Sequence, residues 1–343
     1  MEKATGEILY QKDPHAVLAP ASVTKIMTML LVMEAMDAGT LTPDEPVTVS
    51  ANAAGMGGSQ VYLKQGEQFT AGELLKCVAV VSGNDCAVAL AEHLCGSEGA
   101  FVQRMNDRAA ALGMTDTHFL NCTGLPAAGH VTSAHDIALM SRELIRNHPD
   151  IRSYTTIWTD SIRDGAFGLT NTNRLIRFYA GATGLKTGST DEALYCMSAT
   201  AERDGMELIA VVMKSPTTAQ RFQDAQTLLD YGFSAYALVT PQPGEPIPTV
   251  PVRLGQENRV QPLLSTATPI LVEKEEKNAV TTRLEVADSV EAPVDPGQIL
   301  GRLHVYVGDE LRQSIPLTTP EGVERLTFSG IFTRLLPKLF MAE

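Results

Sequence analysis

The sequence predicts a mixed helix-and-sheet (α+β) fold, with helices around a mostly antiparallel sheet and a small all-β domain after it. Helical patterns fill most of the first part of the chain, the clearest strands there form a late hairpin, and no regular β-α alternation suggests a doubly wound sheet. After about residue 237 the composition changes: TPQPGEPIPTVPV is Pro-rich, and short alternating runs (ILVEKEE, AVTTRLEV, ILGRLHVYVG, LRQSIPL) follow between turn residues. The expected division is a first domain over 1–237, a sandwich-like all-β domain over 238–322 and an amphipathic helix over 323–343.

Met1-Glu2-Lys3 leads into TGEILYQKD, a short strand-like run around a turn, with none of the charged and apolar regions of a signal peptide. Either the protein is cytoplasmic or the sequence starts after a removed segment. Residues 22–38, SVTKIMTMLLVMEAMDA, are apolar nearly all round, as in a helix buried in a core, with Ser22 at its N-terminus and Gly39 as its stop. Thr70-Ala-Gly-Glu73 is a capping box that opens a second apolar helix, LLKCVAVV, interrupted by Ser82-Gly83-Asn84 before DCAVALAEHLCG resumes. Such a break leaves backbone groups needing partners, an expense usually kept at a working site.

Further helices are expected at 98–112, closed by Gly113, at 133–147, ahead of His148-Pro149, and over TAQRFQDAQTLLDYGFSAY; NCTGLPAAGH is a loop. LYCMSATAERDGMELIAVVMKS gives two β-favouring runs around Arg203-Asp204-Gly205, a hairpin with an Asp-Gly turn, and Lys186-Thr187-Gly188 starts the strand before it. Glu273 to Lys277 reads as a solvated strand end or turn. In LTFSGIFTRLLPKLFMAE, Phe328, Ile331, Phe332, Leu335, Leu336, Leu339 and Phe340 share one helix face, with Arg325, Arg334 and Lys338 off it. That pattern suits a helix lying in a membrane interface. No run of about 18 apolar residues predicts a membrane-spanning helix.

The chain has 343 residues, 44% hydrophobic and 20% charged, enough for two domains with a sizeable core. Its net charge of −13 argues against unaided binding to nucleic acid or an anionic bilayer, both of which select for excess Lys and Arg. Cys77, Cys86, Cys95, Cys122 and Cys196 lie in mostly apolar surroundings with no CxxC pair, so free thiols are expected; no HExxH is present, and neither metal nor cofactor is assigned.

Residues 181–190, GATGLKTGST, look at first like a phosphate-binding loop. That loop needs its lysine directly after a glycine and a helix behind it; here Lys186 follows Leu185 and a hairpin comes next, so the nucleotide reading weakens. Ser22 and Lys25 are three apart on a helix and share a face. A serine hydroxyl becomes a nucleophile when a base takes its proton, and a lysine serves if desolvation leaves its amine neutral. The apolar helix supplies the desolvation, and its N-terminus offers backbone N–H groups to an oxyanion.

Ser-x-x-Lys, Ser-x-Asn and Lys-Thr-Gly, in that order, resemble the motifs of the penicillin-binding protein and serine β-lactamase superfamily. PASVTKIMT, VVSGND, FVQRMNDRAAALGM, NCTGLPAAGHVTSAHDIALMSREL, GLKTGST and PVDPGQILGRLHVYVGDELRQSIPL are similar to segments of the low-molecular-mass D-alanyl-D-alanine carboxypeptidases, and the resemblance covers nearly the whole chain. The middle motif is Ser-Gly-Asn where class A β-lactamases have Ser-Asp-Asn, and no Glu-x-x-Leu-Asn segment supplies their deacylating glutamate. The family's mature chains usually begin with a longer first strand, so the sequence reads as trimmed or mis-started, with an export signal upstream.

The resemblance implies a transpeptidase-like domain that hydrolyses the terminal D-Ala of peptidoglycan stem peptides through an acyl-enzyme on Ser22, and that penicillins inhibit. It makes Lys25 the base, Ser82 a proton relay to the departing nitrogen, and Asn84 the holder of the acyl-side amide. Lys186, near Ser82, lowers the Lys25 pKa by like-charge repulsion. The backbone N–H groups of Ser22 and Ser189 form the oxyanion hole; Thr187 and Gly188 complete a strand edge where the glycine lets substrate approach; Arg221 binds the terminal carboxylate. Partners would be stem peptides, β-lactams and, through the C-terminal helix, the outer face of the bacterial cytoplasmic membrane, with no nucleic acid. A non-catalytic cell-wall-binding module would keep the β domain but need not keep Ser22, Lys25 and Lys186 together.

Overall fold

The structure, a computed structural model, describes residues 1–331, which fall into two compact units, one ending at Ser234 and the other beginning at Ala235. In the first unit the expected helix over 22–38 is divided. Ala21–Thr24 form a single 3₁₀ turn and α1 runs from Lys25 to Asp37. The chain enters this turn through Ala21 in a left-handed conformation (φ 48°), and the tighter 3₁₀ turn gives way to the α-helix at Lys25. Every residue from Lys25 to Met33 is buried, which is why the helix carries apolar residues on all sides.

The capping box is present. Thr70 accepts from the amide of Glu73, whose carboxylate accepts from the amide of Thr70, and α2 runs from Ala71 to Val81. Ser82 then turns left-handed (φ 65°), and α3 starts again at Asn84 and continues to Cys95. Helices α4 (Glu98–Ala111), α5 (Ala134–Asn147) and α6 (Thr218–Ala235) follow. Between α5 and α6 lies an antiparallel sheet of β1 (Ala182–Thr190), β2 (Leu194–Arg203) and β3 (Met206–Ser215), in the order β1-β2-β3. Asp204 and Gly205 both have positive φ (50° and 78°), as a two-residue turn between twisted strands requires.

Two readings of local structure are corrected. Lys186 does not start its strand: β1 begins at Ala182 and pairs with β2 as far back as Ala201, so Lys-Thr-Gly sits in its second half. The strand-like run TGEILYQKD contains no strand; only Glu2 bridges Leu208. The Glu2 carboxylate accepts from the amides of Ala4 and Thr5 and curls the chain into a turn completed by Gly6 (φ 79°).

The second unit is rich in strands. One sheet has four strands in the order Leu263–Leu264, Glu310–Thr318, Ile299–Val307, Val280–Val286, all antiparallel; a second joins Arg259–Val260, Val250–Arg253 and Val290–Glu291. Val250, Val294 and Leu300 centre one apolar cluster, and Leu303, Val305 and Ile315 another. Glu273–Lys277, read as a strand end or turn, belongs largely to a 3₁₀ helix, Lys274–Ala279, whose side chains are exposed. Of the C-terminal helix expected over 323–343, Val323 and Arg325 instead make isolated bridges to Val294 and Gly255, helical structure begins at Phe328, and residues 332–343 lie outside the described residues. Among the described residues no helix is long and apolar enough to cross a membrane.

Candidate active site

The site forms where the 3₁₀ turn before α1, the break between α2 and α3, the loop after α4 and the edge strand β1 meet. Ser22 lies in the turn and is half-buried, while Lys25 is fully buried one residue beyond it. Lys25 Nζ has three partners among the described residues: Ser22 Oγ at 3.0 Å, Asn84 Oδ1 at 2.6 Å and the carbonyl oxygen of Thr123 at 2.6 Å. Two of these are pure acceptors and only Ser22 can also donate. A neutral amine with two N–H groups spends both on the carbonyls and has its lone pair left for the Ser22 hydroxyl.

Burial lowers the Lys25 pKa to about 7, against the pull of the buried Asp85 carboxylate. Burial, as the apolar helix predicts, is the leading cause. Lys186 is likewise pushed well below the ordinary range, by burial first and then by repulsion from Lys25 and Arg221. The two amines share a dry region in which holding both as ammonium ions is costly.

Asn84 is oriented by its own environment. Its Nδ2 donates to the Gly57 carbonyl at 2.6 Å, which leaves Oδ1 toward Lys25. Asp85 braces the same loop by accepting from the amides of Val61 and Leu63. The loop that carries Thr123 is folded on Asn121, whose Oδ1 accepts from the amides of Thr123 and Gly124. Gly124 (φ 83°) has no room for a side chain, since a Cβ would lie 1.8 Å from the Ala21 carbonyl oxygen.

The other expected site residues each have a defined environment. Ser82 Oγ is buried without a hydrogen-bond partner among the described residues, and Lys186 Nζ donates to the neighbouring Thr187 carbonyl at 2.9 Å. Gly188 is required by the protein's own backbone, because a Cβ there would lie 2.8 Å from the Ser22 nitrogen and 2.9 Å from that of Val23. This close approach brings strand β1 against the Ser22 turn. Thr187 Oγ1 donates to Thr172 Oγ1 at 2.8 Å, while Ser189 is exposed on the edge strand, where alternate amides face away from the sheet. The Arg221 guanidinium donates to the carbonyls of Gly188 and Cys196 at 3.2 and 3.3 Å, and its Nε is buried without a partner among the described residues.

Sequence reasoning placed Ser22, Lys25 and Asn84, which the structure bonds together, and Thr187, Gly188 and Arg221, which it sets along β1. It missed Thr123, Asn121 and Gly57. Backbone carbonyls have no residue signature, although Asn121 and Gly124 in NCTGLPAAGH mark a loop of fixed shape.

Comparison with known proteins follows the same lines. Residues 1–217 match the family described as D-alanyl-D-alanine carboxypeptidase, and residues 240–325 match the penicillin-binding protein 5 C-terminal domain. The D-alanyl-D-alanine carboxypeptidase DacF of Bacillus subtilis is 40% identical over 341 residues, covering 98% of this chain and 87% of that protein. Penicillin-binding protein 5 from Haemophilus influenzae has a similar structure, with a TM-score of 0.80 and 29% identity over 95% of this chain and 96% of that one. Penicillin-binding protein D2 from Listeria monocytogenes in its ampicillin-bound form is similar over 68% of this chain and 94% of its own, with a TM-score of 0.62 and 35% identity.

Proposed function

The chain belongs to the D-alanyl-D-alanine carboxypeptidase family, and we propose that it removes the terminal D-Ala from peptidoglycan stem peptides through an acyl-enzyme on Ser22. The observation that carries the assignment is the Lys25 amine, buried, held by two carbonyl oxygens and 3.0 Å from the Ser22 hydroxyl. In acylation the Ser22 proton passes to Lys25 Nζ as Oγ bonds to the penultimate D-Ala carbonyl carbon, and the resulting ammonium has an acceptor for each of its three protons. The carbonyl oxygen takes the negative charge between the Ser22 and Ser189 amides. The C–N bond then breaks, and the nitrogen of the departing D-Ala gains a proton relayed from Lys25 through Ser82. Water attacks the ester by the same path in reverse and frees Ser22.

Arg221 faces the substrate's terminal carboxylate, and Asn84 holds the acyl-side amide with the N–H that Gly57 leaves free. β-Lactams, which present a carbonyl and a carboxylate in a similar arrangement, acylate Ser22 and inhibit. Because peptidoglycan lies outside the cytoplasmic membrane, the enzyme works on that side. Its C-terminal segment, from Phe328 onward, attaches it to the membrane surface through apolar residues that the sequence spaces for one helix face. Release of D-Ala from a diacetyl-Lys-D-Ala-D-Ala peptide, followed by chromatography, tests the activity. Wild type should release it and Ser22→Ala should not; release by both would remove Ser22 from the reaction. Liposome flotation with and without residues 328–343 tests the anchor, which equal partitioning would contradict.

A further inference from the structure

We infer that His130 is a positioning residue for acylation, tying the loop that presents the Thr123 carbonyl to the turn that carries Ser22 and Lys25. The inference rests on the Ser22–Lys25 reading above. The His130 ring is buried, 4% exposed, and each nitrogen has one partner. The amide of Leu120 donates to Nδ1 at 2.9 Å. A backbone N–H can only donate, so Nδ1 must accept and the ring carries its proton on Nε2, which donates to Thr24 Oγ1 at 2.8 Å. Burial keeps the ring in this neutral form, lowering its pKa to about 4, with His118 adding to the shift.

The two ends of the tether matter more than its strength. Thr24 immediately precedes Lys25, and Leu120 immediately precedes Asn121, whose side chain folds residues 121–125 and aims the Thr123 carbonyl. One ring therefore fixes both sides of the 2.6 Å bond between Lys25 Nζ and Thr123. That bond occupies one of the two N–H groups of neutral Lys25, and unless both are occupied the lone pair is not aimed at Ser22. None of the groups assigned to substrate binding, Asn84, Ser189 or Arg221, hydrogen-bonds to His130. Losing the tether should slow the chemical step and leave binding alone.

The test measures penicillin acylation of the full chain by stopped flow, separating the acylation rate constant k2 from the dissociation constant K of the preceding complex. His130→Ala should lower k2 by about 10- to 100-fold, the effect of an ångström-scale misplacement, with K within about twofold of wild type. His130→Gln should recover most of the loss, because its Oε1 can accept from Leu120 and its Nε2 can donate to Thr24. Thr24→Val, which keeps the ring and removes its acceptor, should slow k2 in the same sense and decides the matter if His130→Ala does not fold, as thermal melting will show. A folded His130→Ala with wild-type k2, a loss confined to K, or a His130→Gln as slow as His130→Ala would overturn the inference. Failure of wild type to acylate at all would overturn the Ser22 reading itself.

Discussion

Raising the pH from 6 to 8 should speed acylation of Ser22 about tenfold, because the Lys25 amine accepts the serine proton only in its neutral form. Burial brings its pKa from 10.5 to about 7. The neutral fraction is then about one-tenth at pH 6, one-half at pH 7 and nine-tenths at pH 8, so the rate climbs with pH through about 7 and levels off above 8. A lysine of ordinary pKa would be under about 1% neutral at pH 8, and its rate would go on rising about tenfold per pH unit to beyond pH 9. The two cases are far apart. Single-turnover stopped flow with a saturating fluorescent penicillin, in buffers of constant ionic strength from pH 5 to 10, separates them. A rate that is flat across pH 6 to 8, or one that rises without a plateau, would refute the buried neutral amine as the base.

Gly124→Ala places a Cβ 1.8 Å from the Ala21 carbonyl oxygen at a φ of 83°, so the loop must withdraw and take Thr123 with it. The variant should lose about 3 kcal/mol in urea unfolding and acylate slowly, whereas an unchanged stability would mean that the two segments are not in contact. Arg221→Ala should slow turnover of a D-Ala-D-Ala peptide at least about tenfold more than that of an ester lacking the terminal carboxylate, the usual range for a charged hydrogen bond. Equal losses would instead assign Arg221 to bracing the Gly188 and Cys196 carbonyls that it already holds.

Local chemistry was legible where a residue type states its own geometry. Thr70 with Glu73 announces a helix start, Asp204-Gly205 a tight turn, and Ser82-Gly83-Asn84 a break, and each occurs where read. Lys25 on an all-apolar helix forecasts a desolvated amine, and its pKa falls for that reason. Hidden from sequence were contacts made by backbone atoms and by segments far apart. Thr123 reaches Lys25 through a carbonyl that any residue has, and Gly188 is required by Ser22 and Val23, more than 160 positions earlier by their numbers. Arg221 could be singled out, but the strand carbonyls of Gly188 and Cys196 that it holds could not. The N-terminal segment was misread because TGEILYQKD has strand-forming residues, whereas the Glu2 carboxylate ahead of it folds its start into a turn.

The intact mass of the protein after brief exposure to penicillin tests Ser22 as nucleophile and Lys25 as its base most directly. The lactam's leaving nitrogen stays tethered to the acyl group and hinders water, so the adduct should persist long enough to weigh. Wild type should gain one penicillin, Ser22→Ala none, and Lys25→Ala should gain it very slowly for want of a base. A folded wild-type protein whose mass does not change would contradict the assignment, and label retained by Ser22→Ala would place the nucleophile elsewhere.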